Sequence, residues 1–178
     1  MTPSDIPTVN RKLKEAYHRV KAPIIDLLAV QTRDPFRILL ATILSARTKD
    51  ACTAAACERL FKVVTTPDDL RRISQDELEK LIYPVGFYRN KAQHLKALPD
   101  VLDQKFGGVL PDTVEELCEL PGVGRKTANL VVAQGFGKPA ICVDVHVHRI
   151  TNRLGLVQTK TPLETEMALR QILPTRYW

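Results

Sequence analysis

Apolar residues recur at helical spacing along most of the chain, and polar capping signals punctuate them. The pattern predicts a charged amphipathic helix from Val9 to Val20, with Leu13, Tyr17 and Val20 on one face, stopped at Ala22-Pro23. Asp34-Pro35 reads as an N-cap followed by proline at the first helical position. Phe36, Leu39, Leu40, Ile43 and Leu44 then form a core helix, broken by Ser45-Ala46-Arg47-Thr48. Thr48 is expected to cap the next helix, which runs through Ala51 to Val64. Thr66-Pro67 and the capping box Ser74-x-x-Glu77 open two short helices. Gly86-Phe87-Tyr88 is a turn, and Asn90 to Phe106 is helical, with Pro99 expected to kink or divide it. Gly107-Gly108 ends that helix, and Thr113-x-x-Glu116 starts a short one to Leu120. Another helix ends near Ala133, and Thr161-Pro162-x-Glu164 opens the last, to about Leu173.

One segment supports two readings. Ile141, Val143, Val145 and Val147 alternate as a strand would, whereas Val147, Ile150 and Leu154 fit a helix capped by Asp144. The chain offers no good partner for a lone strand, so the helix is preferred. The expectation is an all-α protein of about ten helices with short connections and no internal repeats.

Hydrophobic residues make up 44% of the 178, which indicates a globular chain. Its 26 Lys and Arg outnumber 20 Asp and Glu, giving +6 and a pI near 9.3. That excess fits a polyanion partner such as nucleic acid and is also common in soluble proteins without one. No apolar run is long enough to cross a bilayer, and Met1 to Asn10 does not resemble a signal peptide. The scattered Cys52, Cys57, Cys118 and Cys142 match neither a zinc pattern nor a disulfide framework, so a reduced, cytoplasmic setting is expected.

The richest stretch is Leu120-Pro-Gly-Val-Gly-Arg-Lys-Thr-Ala-Asn-Leu-Val-Val132. A turn made by Pro121, Gly122 and Gly124 leads into an apolar helix whose first turn carries Arg125 and Lys126. The unpaired N–H groups and partial positive charge at such a helix start suit a phosphate. The same charge, with Arg125 beside it, favours a neutral, nucleophilic amine on Lys126.

Glu119-Leu-Pro-Gly-Val-Gly-Arg-Lys-Thr-Ala-Asn129, followed by Val143-Asp144-Val-His146 and Arg149, resembles the helix-hairpin-helix and Gly/Pro-Asp signature of base-excision DNA glycosylases, and within them the endonuclease III family. Ile43-Leu-Ser-Ala-Arg-Thr-Lys-Asp50 and Gly86-Phe-Tyr-Arg-Asn-Lys-Ala92 extend the resemblance, which runs from about Val20 to Trp178. It implies two helical lobes around a DNA-binding cleft. A six-helix lobe would span 22–136, with the helix-hairpin-helix at about 113–133, and the second would join 1–21 to 137–178. It further implies that a damaged base is flipped out of double-stranded DNA. Lys126 would attack the sugar, Asp144 would deprotonate the amine or stabilise positive charge, and the Schiff base would permit strand cleavage by β-elimination. Oxidised pyrimidines and abasic sites are the implied substrates, and the chain is expected to be a monomer.

Gly122, Val123, Gly124 and Arg125 would then meet the DNA backbone, as would His146, for which contact with Asp144 is the other reading. Asp144 can cap and catalyse together. Arg47 stands where the family commonly has glutamine filling the space left by the flipped base; it is read either as that wedge or as a phosphate contact. Phe87 is read as a second wedge or as an aromatic anchoring its turn. His146 and His148 lack further ligands nearby, so no metal is assigned. The family's [4Fe–4S] cluster uses cysteines beyond the point reached here, and none follows Cys142, so a truncated second lobe and no cluster in this chain are expected. Two other functions stay open: a monofunctional glycosylase for mismatched or alkylated bases, whose relatives typically lack the lysine, and a non-catalytic helix-hairpin-helix binding module, which has no use for Asp144.

Overall fold

The computed structural model describes residues 1–17, 25, 32 and 34–178. The described residues form ten α-helices: α1 (Ile6–Tyr17), α2 (Pro35–Ser45), α3 (Asp50–Leu60), α4 (Pro67–Arg72), α5 (Gln75–Ile82), α6 (Tyr88–Phe106), α7 (Val114–Leu117), α8 (Arg125–Gln134), α9 (Val145–Arg153) and α10 (Pro162–Ile172). There is no strand among them, so the fold is all-α. Helix α1 starts earlier than its apolar pattern indicated, and Leu13 and Tyr17 on its expected core face are 63% and 47% exposed. The expected end at Val20 and stop at Ala22-Pro23 lie outside the described residues.

The chain divides into two compact units, Pro23–Lys138 and Met1–Ala22 with Pro139–Trp178. The larger unit is built around α2, in which every residue from Phe36 to Leu44 except Arg37 is buried. Asp34 starts this helix, its side chain accepting from the Phe36 and Arg37 N–H groups at 2.9 and 3.5 Å. Helices α3, α6 and α8 pack on α2, while α4 and α5 pack on α6 and α7 packs on α8.

Three local expectations change in this unit. Helix α3 stops at Leu60, although Val64 stays buried beyond it. Its N-cap is Lys49, because the Thr48 hydroxyl is engaged elsewhere. Pro99 does not divide α6, which runs unbroken through it for 19 residues and ends at Gly107 with φ +60°.

The smaller unit has a core of Ile141, Val143, Val157 and Leu169, with Val147, Leu156, Ile172 and Trp178 against it. Residues 137–144 take no regular secondary structure, yet Ile141 and Val143 are buried and Cys142 between them is not. Thus the alternation at this point marks a buried edge of irregular chain, and the helix begins at Val145 behind its Asp144 cap. A polar cluster lies beside this core: His148 meets Thr165 at 2.6 Å, and Asn152 donates to Thr159 at 3.0 Å.

Candidate functional site

The larger unit presents the glycine-rich turn. Leu120 and Val123 are buried and seat it, and the Val123 N–H bonds to the Leu120 carbonyl at 3.2 Å. Val123 therefore anchors the turn from within, unlike Gly122 and Gly124, which are exposed. Gly122 has φ +76°, and a Cβ there would sit 2.7 Å from Nδ1 of His94 on α6. Both constraints require glycine. Gly124 is the N-cap of α8 and brings no side-chain oxygen to its first turn.

Lys126 is exposed in that first turn. Arg125 is turned to Glu115, with both terminal nitrogens 3.4 Å from a carboxylate oxygen. Its charge is thus partly matched by that carboxylate. Asn129, fully buried, donates to the Arg125 carbonyl at 3.0 Å and stiffens the start of the helix.

Two loops of the same unit carry the other expected contacts. Arg47 and Phe87 have φ of 55° and 57°, the only described non-glycine residues with positive φ. Such backbone is uncommon for residues with a Cβ and concentrates where surrounding structure enforces it. The Arg47 guanidinium lies 5.3 Å from the centre of the Phe87 ring, a cation–π arrangement. The ring is 61% exposed, so Phe87 is not a core aromatic.

Sequence reasoning missed Lys91, which was visible only as one residue of the Gly86–Ala92 stretch. It is 7% exposed, and its Nζ donates to the Leu44 and Ala46 carbonyls at 2.8 and 2.6 Å and to Thr48 Oγ1 at 3.3 Å. Burial pulls its ammonium down to about 8.

In the smaller unit Asp144 caps α9. Its Oδ1 accepts from the His146 and Val147 N–H groups, both at 2.9 Å, while Oδ2 takes no hydrogen bond among the described residues. His146 is exposed and lies 3.3 Å from Arg149. His148 turns into the polar cluster, so the two histidines serve different networks. The four cysteines do not fit a [4Fe–4S] cluster: no three His, Cys, Asp or Glu side chains gather in metal-binding geometry among the described residues.

The HhH-GPD superfamily of base excision DNA repair proteins matches residues 40–175, a span holding both the hairpin and the Asp144 cap. Endonuclease III from Thermotoga maritima is 52% identical over 145 residues, 82% of this chain and 68% of that protein. Endonuclease III-like protein 1 from Gallus gallus is 45% identical over 146 residues, and the chain spans about half of it, 52%. A solved structure of a trapped endonuclease III–DNA covalent intermediate, an estranged-adenine complex, superposes with a TM-score of 0.86 at 38% identity, covering 100% of this chain and 81% of that one. This chain belongs to the endonuclease III family.

Proposed function

We propose that the chain is a bifunctional DNA glycosylase and abasic-site lyase acting on double-stranded DNA that holds an oxidised pyrimidine or an abasic site. The observation that carries the reading is Lys126, exposed in the first turn of α8 directly behind the glycine turn whose Gly124 is the N-cap of that helix. The trapped covalent protein–DNA intermediate formed by a relative of 38% identity supports the same chemistry.

Gly122 and Gly124 present backbone N–H groups to a phosphate of the damaged strand. The neutral Lys126 amine attacks C1′ of the flipped nucleoside. The C1′–N bond breaks, the base leaves with the electron pair and takes up a proton, and the amine nitrogen gives up one. Asp144 Oδ2 serves as the acceptor of that proton, or as the negative charge facing the opening sugar. Ring opening gives a protonated Schiff base. Loss of a C2′ proton then expels the 3′ phosphate oxygen, and water hydrolyses the Schiff base to release Lys126. Arg47 and Phe87 fill the space that the flipped base vacates, and His146 meets the DNA backbone. The chromosome-containing cytoplasm is the setting this reading implies.

Borohydride trapping on a duplex with one abasic site is the test. The expected result is a covalent adduct that disappears in Lys126→Ala, with circular dichroism showing both proteins folded. A folded protein that binds the duplex and yields no adduct overturns the lyase reading and leaves a monofunctional or binding role.

A further inference from the structure

Between the two loops that carry Arg47 and Phe87 lies a set of bonds which the reaction does not use. The Lys91 ammonium holds the Ala46 carbonyl on one side of Arg47 and the Thr48 hydroxyl on the other. It also holds the Leu44 carbonyl, one of the groups that the end of α2 leaves without an intrahelical partner. The backbone N–H of the same lysine bonds to the Phe87 carbonyl at 3.0 Å. Thr48 Oγ1 in turn accepts from the Gly86 N–H at 3.1 Å. The loops are in backbone contact there, since a Cβ on Gly86 would lie 2.6 Å from the Arg47 carbonyl oxygen. Burial disfavours a cation at this position, and the three acceptors are neutral oxygens. What the ammonium supplies is three donors at a single point.

We propose that the Lys91 ammonium and the Thr48 hydroxyl together form the tie that holds Arg47 and Phe87 stacked, in left-handed backbone, in the arrangement with which they enter the duplex. The inference rests on the wedge reading above and adds Lys91 and Thr48 to it as positioning residues. Without the tie the loops relax toward ordinary backbone and the guanidinium and ring separate.

The experiment uses a duplex carrying 2-aminopurine opposite an abasic site, with the fluorescence change on saturation as the readout of insertion. The rate of borohydride trapping is measured on the same duplex and on single-stranded abasic DNA, where there is no opposite strand to wedge into. Lys91→Met and Thr48→Val are each expected to lose most of the fluorescence change. Each is also expected to lower the duplex-to-single-strand rate ratio by about fivefold or more, as loss of a buried hydrogen-bonded tie would. A folded Lys91→Met with wild-type amplitude and ratio overturns the proposal. So does an equal loss on both substrates, the mark of a merely structural role. If Lys91→Met does not fold, Thr48→Val decides by the same criteria. Arg47→Ala and Phe87→Ala are the controls: full fluorescence change in both sinks the wedge reading, and the tie with it, while a loss in both with none in the tie variants sinks the tie alone.

Discussion

Burial pushes the Cys57 thiol up to about 12 from 9.0 and pulls the Lys91 ammonium down to about 8 from 10.5, and the two act on stability in opposite directions. Above pH 9 the unfolded thiol ionises while the native one holds its proton, so the native state binds more protons and stability falls as pH rises. Between pH 8 and 10.5 the native Lys91 has lost a proton that the unfolded chain keeps, so stability rises. Cys57→Ala removes the first effect and leaves the second. Relative to that variant, wild type is expected to lose about 1 kcal/mol between pH 8 and pH 10 in urea titrations. Parallel pH curves for the two proteins would rule this out. Asp144 divides its work between two oxygens: Oδ1 closes the helix, and Oδ2 is left for the proton or charge that the proposed reaction requires.

At the scale of elements, the hairpin depends on a single missing Cβ. Gly122→Ala places a methyl group 2.7 Å from His94 Nδ1 at a positive φ. It is expected to cost about 2 kcal/mol of stability and to weaken binding to an abasic duplex; unchanged melting and unchanged binding together would show that α6 yields to the methyl group. The helices themselves were largely legible. Asp34, Ser74, Thr113, Asp144 and Thr161 cap as their spacing indicates, because a cap is a contact made within three residues. Thr48 was misread because its hydroxyl answers to Gly86 and Lys91, 38 and 43 residues away. No local pattern holds that information. Lys91 went unnoticed for the same reason, since a lysine buried among carbonyls looks like a solvated one until the helix end it serves is in place. The end of α3 was missed because apolar spacing continues to Val64 after the backbone has left the helix. Lys126 and Asp144 are paired as candidates by the family motif, whereas the stacking of Arg47 on Phe87 belongs to the structure alone.

For the molecule as a whole, a net charge of +6 favours a polyanion, and the proposed phosphate contacts set how binding responds to salt. Phosphate contacts release counterions, so affinity for duplex DNA is expected to fall as salt rises, with a log–log slope of about −3 or steeper. A flat dependence in fluorescence anisotropy would contradict the backbone contacts proposed here. Each of the two units has its own buried core, and the hairpin sits at the surface of the larger one. Helix α8 leaves that surface behind a residue with no side chain to close it. Most other helices here complete their first turn with an oxygen of their own, from Asp34, Ser74, Thr113, Asp144 or Thr161. Under the proposed function, α8 borrows that oxygen from the DNA. The damaged strand then finishes a piece of the protein's own secondary structure, and the last increment of order around Lys126 arrives with the substrate on which the lysine acts.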